Sequence, residues 1–187
     1  MRYFRNGFQI VLAVGTLCIF SGTAIADMPV VYKDGTRSIF QISAPDFWQV
    51  RAGGPRLISP PGSQDDRLIA RVIGLEPTGE KGAWVGFMSP FGVSTAAQAE
   101  DYLKNIGRSV VGEPNVTERS RIRIGGLPAS RFAGTGRRDG KTVNFTAVII
   151  DLPGDRVAVS LAVLESGANP ELVADINEIY GSFRSLR

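Results

Sequence analysis

Arg119, Arg121 and Arg123 recur at every second position within Arg119-Ser120-Arg121-Ile122-Arg123-Ile124. In an extended chain, successive side chains point to opposite faces. The spacing therefore predicts a strand with three guanidinium groups on one side and Ile122 and Ile124 on the other. Guanidinium forks grip carboxylates and phosphates through two parallel hydrogen bonds, so this row is the leading candidate for an anion- or partner-binding surface. The same alternation suits the solvent side of a half-buried strand, where charge discourages edge-to-edge association. Both readings stay open at this point. Arg137-Arg138, beside Asp139-Gly140, reads as a solvated hairpin tip.

The residue types also exclude a good deal of chemistry. The chain has no histidine and one cysteine, Cys18. Without histidine there is no Ser-His-Asp or Cys-His machinery, and the commonest proton shuttle near neutral pH is missing. The usual zinc, haem and iron-sulfur ligand sets are missing as well. Gly140-Lys141-Thr142 matches the end of a phosphate-binding loop. However, the glycine required upstream is replaced by Thr135, and the segment opens a strand where the motif needs a helix. Asp65-Asp66 is the most visible carboxylate pair and, with Gln64, the best oxygen cluster for calcium. Acid-base work needs two carboxylates in opposed environments, and adjacent loop residues do not provide them. The cluster also matches no calcium-loop spacing. Lys33, Lys81, Lys104 and Lys141 lack a neighbouring serine in a nucleophile-like context. No catalytic, cofactor-binding or metal-binding residue is assigned, and no enzyme is expected.

The chain opens with an export pattern. Arg2 and Arg5 precede an apolar run from Ile10 to Phe20, and small residues follow up to Ala24-Ile25-Ala26. This is the three-part order of a cleavable secretory signal, with the cut expected between Ala26 and Asp27. The apolar run is about 11 residues, where a spanning helix needs about 20. Cleavage removes the only cysteine, so no disulfide can form and stability must come from burial. It also removes two cations and no acid from a chain of net charge +3, leaving +1. That balance gives no global field for nucleic acid or for an anionic membrane. A periplasmic or secreted location is expected, with no stable membrane insertion once the signal is gone.

Residues 27–187 read as one domain, because the Pro/Gly-rich spans 59–66 and 76–82 are too short to be interdomain linkers. Strand patterns occur at 38–42, 47–50, 67–75 and 83–88. A four-stranded meander follows through 119–124, 129–137, 141–151 and 156–164, turned by Gly125-Gly126, Asp139-Gly140 and Pro153-Gly154. Thr95 with Gln98 forms a capping-box pattern that predicts a helix to about Ile106. A second helix is expected from Asn169, through Pro170 and Glu171, to about Phe183. Its predicted buried stripe is Leu172, Val173, Ile176, Ile179, Tyr180 and Phe183. Helices alternating with antiparallel strands imply an α+β fold, with two main helices packed on an antiparallel sheet. Phe87-Met88-Ser89-Pro90-Phe91 has two readings, the mouth of a ligand groove or a plug at the end of the sandwich. Trp48 and Trp84 invite the same two readings.

Ala44-Pro45-Asp46-Phe47-Trp48, Gly126-Leu127-Pro128-Ala129 and Ile179-Tyr180-Gly181-Ser182-Phe183-Arg184 are spread over most of the mature chain. In these segments, and in its order of elements, the chain resembles the PsbP-like superfamily. That group takes in the extrinsic photosystem subunit PsbP, a nuclear transport factor that binds the GTPase Ran, and bacterial envelope proteins. The resemblance implies an α/β/α sandwich and a binding or accessory role, and it carries over no catalytic residue. The expectation is a non-catalytic periplasmic binding or accessory protein whose partner is an envelope protein or a small ligand. The alternatives are a small-molecule carrier and a carboxylate- or metal-dependent hydrolase.

Overall fold

The structure is a computed structural model that describes residues 27–54, 56–58, 67–69, 71–79 and 81–186. The expected leader and the Gln64, Asp65 and Asp66 cluster lie outside these residues. The elements run β1 (Met28–Asp34), β2 (Arg37–Ala44), β3 (Trp48–Ala52), β4 (Arg56–Ile58), β5 (Arg67–Ile69), β6 (Ile73–Pro77) and β7 (Ala83–Met88). Helix α1 (Ala96–Ile106) follows, and a 3-10 turn at Gly107–Ser109 leads into β8 (Gly112–Ile124). The chain continues through β9 (Leu127–Arg138), β10 (Lys141–Leu152), β11 (Arg156–Glu165), α2 (Pro170–Gly181) and β12 (Arg184–Ser185). All pairings are antiparallel. One sheet has seven strands in the order β3-β6-β7-β11-β10-β9-β8. A smaller sheet orders β1-β2-β12, and β4 pairs with β5.

The predicted meander is present, with β8 as the sheet edge. Asp139 and Gly140 both take positive φ, 50° and 78°, as a two-residue hairpin turn demands. The capping box at Thr95 is complete: its side chain accepts from the Gln98 N–H, and the Gln98 side chain returns to the Thr95 N–H. Asn169 caps α2 through the Glu171 N–H at 3.0 Å, with Pro170 in the first turn.

Four expectations change. Strand β1 had no sequence assignment. Its alternation is short, and only pairing with β2 turns Val30 and Tyr32 inward. Strand β8 begins at Gly112, seven residues before the arginine alternation, because β9 pairs with that irregular stretch through two shifts of register. The predicted strand 67–75 divides into β5 and β6. In α2, Val173 is 44 % exposed, while Leu172, Ile176, Ile179 and Tyr180 are buried. The helix ends at Gly181, and Phe183 reaches the core from the segment after it.

The two faces of the large sheet are covered differently. On one face, α2 and the β1-β2-β12 sheet close over Phe87, Val85 and Val148. Tyr32, Phe40, Phe87, Tyr180 and Phe183 form a continuous aromatic cluster there, with ring centroids 4.7–6.4 Å apart. Phe40 and Phe183 are fully buried, and truncating such a ring costs about 3–5 kcal/mol. The polar ends of this layer are satisfied. The Tyr180 hydroxyl lies 2.8 Å from Ser160 Oγ, and the Tyr32 hydroxyl donates to the Ser89 carbonyl at 3.2 Å. On the other face lies α1, which packs against β10 and β11. The result is an α/β/α sandwich. No helix of the described residues is long and apolar enough to cross a membrane.

Burial pushes the Tyr180 phenol from 10.0 up to about 12, against the partial relief of its Ser160 hydrogen bond. The unfolded chain therefore loses this proton at lower pH than the folded one. The associated stability is intact below pH 10 and is lost as pH rises toward 12. Denaturant unfolding across this window should show a decline that flattens in Tyr180→Phe. Part of the decline should persist, because burial also raises the Tyr32 phenol.

Candidate functional site

Helix α1 lies over Phe145, Ala147 and Leu161 and leaves the outer part of its sheet face open. Between the helix and the β8–β9 edge runs a groove of about 210 Å³. Its floor is Phe132, Phe145, Ala147 and Leu161, and Leu103 and Val111 close one side. Register explains the floor. Phe132 pairs with Ala147, and Ala147 with Leu161, so adjacent strands present these side chains to one face. The rim is charged. Glu100 and Lys104 stand one turn apart on α1, Arg108 comes from the 3-10 turn, and Arg119 comes from β8.

The predicted arginine row is present, but its members do different things. Arg119, Arg121 and Arg123 share a face of β8, opposite Phe132, Ser130 and Pro128 of β9. Arg119 donates to Glu100 Oε1 at 2.9 Å, and its guanidinium lies 5.1 Å from the centre of the Phe132 ring. Its other partner in stacking is thus apolar, which holds the cation at the groove entrance. Arg123 donates to the carbonyl of Gly126 and so closes its own hairpin turn. Arg121 makes no hydrogen bond or ion pair among the described residues. It borders a shallow depression shared with Ser130 and Asp151 near the start of α1. Ile122 and Ile124 face the α2 side and pack against the core, as the alternation requires.

The site residues not foreseen are Glu100, Lys104, Arg108 and Phe132. Glu100 and Lys104 show the i,i+4 spacing of neighbours on a helix, and Lys104 Nζ lies 3.4 Å from Glu100 Oε1. Their link to Arg119 depends on where the sheet places β8, which no local pattern encodes. The Arg119 hydrogen bond holds the Glu100 carboxyl below the usual carboxylate range, helped by the charge of Lys104. Glu100 therefore stays ionised and matched to a cation. Lys104 also pairs with Asp101 at 3.2 Å and Arg119 with Glu100, so Arg108 is the rim cation that gives the excess of positive charge. This arrangement suits a ligand with an apolar portion beside an anionic group. No nucleophile stands beside a base here.

Other candidates resolve differently. Phe87 is fully buried in the aromatic cluster, and Met88, Ser89 and Pro90 are buried as well, so the Phe87–Phe91 segment plugs the sandwich. Only Phe91 is exposed, at 52 %, so of the two readings of this segment the described residues fit the plug. Trp48 is core, its Nε1 donating to Asp175 Oδ2 at 3.3 Å, whereas Trp84 is half-buried on the α1 face. The buried hydroxyls of Ser89 and Ser160 are engaged with the Val157 carbonyl and the Tyr180 hydroxyl. Arg138, read from sequence as a solvated tip, instead lies over the Trp84 ring, its guanidinium carbon 5.5 Å from the ring centre. Among the described residues, no group of three acidic side chains could hold a metal ion.

No family model matches the chain, and no curated protein matches it. Among solved structures, it is similar to cyanobacterial PsbP from Synechocystis sp. PCC 6803, with a TM-score of 0.53 and 11 % identity over 92 % of this chain and 99 % of that one. It is also similar to LpqN of Mycobacterium tuberculosis, described as involved in cell envelope biogenesis. That match has a TM-score of 0.49 and 15 % identity, over 87 % of this chain and 91 % of that one. The fold is PsbP-like, and the α/β/α sandwich that the resemblance implied is the one observed.

The Glu100 geometry gives a direct check. Its carboxyl should titrate below the ordinary carboxylate range in NMR pH titrations. Arg119→Ala should move it back up by more than Lys104→Ala does. The pair is exposed, so either substitution should change stability by less than about 1 kcal/mol.

Proposed function

We propose that this chain is exported by its leader, is cut between Ala26 and Asp27, and acts as residues 27–187, a single non-catalytic binding or accessory domain in the periplasm or outside the cell. The observation that carries the binding role is the α1 groove. An apolar floor, with Phe145 and Ala147 buried and Phe132 and Leu161 half-buried, lies beneath a rim with surplus positive charge. Grooves that hold ligands combine such a floor with a few placed polar groups. Arg121 and Arg123 extend the positive edge along the same face of β8, beyond the groove.

On this reading the ligand is an envelope component that places an anionic group beside an apolar portion. Arg119 and Arg108 would meet the anion, and Phe132 and Leu161 would meet the apolar part. The small volume favours a side chain or short acyl segment of a larger partner over a fully enclosed small molecule. The chemistry around the groove supports binding over turnover. Its one carboxylate is neutralised by Arg119, and the missing histidine and cysteine leave no conventional nucleophile–base pair. The PsbP-like fold is compatible with this role and does not decide it, since folds host many functions.

The test is capture from an envelope extract by the mature protein and by its Arg119/Arg121/Arg123→Ala variant. The expected outcome is a component retained by the unaltered protein, released by raised salt, and lost or weakened about tenfold in the variant. Equal capture by both proteins would leave the arginine row as solvated surface. Turnover of a defined substrate by the purified protein would overturn the non-catalytic reading.

A further inference from the structure

The face of the large sheet that carries α1 extends well past the helix, over β7, β6 and β3. Among the described residues, Trp84 is the side chain that lies over it there. Gly74 and Gly86 are directly paired across β6 and β7, and the side chains they lack would point to this face. The indole fills that space. A Cβ added at Gly86 would stand 2.2 Å from a carbon of its six-membered ring, and one at Gly74 would approach Nε1 to 3.2 Å. One face of the ring therefore rests on backbone. The other faces outward, where Arg138 lies over it with its guanidinium carbon 5.5 Å from the centre.

Around the indole is a groove of about 450 Å³, within the range that holds small ligands. Gln49, Arg51 and Glu76 form one wall, and Arg138, Asp139 and Glu165 the other. The Gln49 amide oxygen accepts from Arg51 at 3.0 Å, and Arg51 lies 3.8 Å from Glu76, the same distance as Arg138 from Asp139. Among the described lining residues three cations, Arg51, Lys81 and Arg138, stand with three carboxylates, Glu76, Asp139 and Glu165. Glu165 is already held by Lys141 at 2.6 Å, which leaves Lys81 without an ion pair among the described residues. This contrasts with the α1 groove, whose rim has surplus positive charge.

The balance decides the ligand class. A cation would meet Arg138 on the only open face of the ring. An anion would meet three carboxylates, against Lys81 as the one lining cation with no ion pair among the described residues. A wholly apolar ligand would cover the rim donors and acceptors without replacing their water. The remaining fit is a neutral molecule with an apolar face to lie on the indole and hydroxyls around its edge. We propose that the Trp84 groove binds a neutral saccharide ring. The pyranose C–H face stacks on Trp84, and its hydroxyls exchange hydrogen bonds with Gln49, Arg51 and Glu76. Arg138 moves aside from the ring to the edge of the sugar. This site is separate from the α1 groove and does not depend on the reading given for it.

The test follows the two indole N–H resonances while the protein is titrated with chitotetraose, maltotetraose, cellotetraose and mannotetraose. Trp48 is buried and bonded to Asp175, so it serves as an internal control. The expected result is a saturable millimolar shift of the Trp84 resonance with at least one of these, while Trp48 stays still. Binding should weaken about tenfold or more in Trp84→Ala and severalfold in Gln49→Ala and Glu76→Gln. The Arg119/Arg121/Arg123→Ala variant should bind the saccharide as the unaltered protein does, which separates this site from the other. Absence of a shift with all four saccharides overturns the proposal, as does undiminished binding in a folded Trp84→Ala. If Trp84→Ala fails to fold, undiminished binding in both Gln49→Ala and Glu76→Gln, which alter only the rim, overturns it.

Discussion

The stacking of Phe40 between Tyr32 and Phe183 closes the interior of this protein. The Tyr32 and Phe40 rings are 4.7 Å apart and nearly parallel, and Phe183 lies 5.1 Å from Phe40 on its way out of α2. Three segments distant in sequence meet there: the first hairpin, the chain's last helix, and Phe87 from the large sheet. Burying such rings is among the largest favourable terms available to a domain with no disulfide. The cluster also tolerates two tyrosine hydroxyls, because Ser160 and the Ser89 carbonyl accept or share their protons in the dry layer. The Arg156–Asp34 ion pair at 2.8 Å fastens the same hairpin to β11 at the margin of this layer.

That closure has a consequence for the opposite face. α2 and the small sheet together cover one side of the seven strands, and among the described residues α1 is the helix on the other. A helix of 11 residues cannot cover a sheet of this width. The uncovered parts are handled by side chains lying on the sheet. Arg119 lies over Phe132 at one end, and Trp84 over Gly74 and Gly86 at the other. Both arrangements leave apolar surface near water with charged groups at its border. This is where binding surfaces arise on a domain whose core is otherwise complete.

The two open regions differ in electrostatics, and the difference follows from the strands that supply them. The β8 edge contributes arginines at every second position, with Glu100 as the acidic partner from α1, so the α1 groove carries surplus positive charge. Among the described lining residues, the indole groove has cations and carboxylates in equal number. Edge strands need charge to avoid pairing with other chains, and Pro114 in β8 adds to that protection.

Much of the architecture was legible in the residues. Alternation at 119–124, the Asp139-Gly140 turn, the Thr95–Gln98 box and the Asn169-Pro170 cap are local signals. Each acts through backbone geometry within a few residues, so the meander, both helices and the sandwich follow from sequence alone. The absence of histidine likewise removes Ser-His-Asp and Cys-His chemistry at the level of the sequence. Tertiary structure decided which side chains meet. Arg119, Arg121 and Arg123 look equivalent in sequence, yet sheet register and the position of α1 give one a carboxylate and an aromatic ring, one its own turn carbonyl, and one neither. Trp48 and Trp84 look alike too, but strand pairing sends Trp48 into the core and lays Trp84 across two glycines from different strands. Contacts between residues distant in the chain are fixed by register and layer packing, and no window of sequence contains both partners.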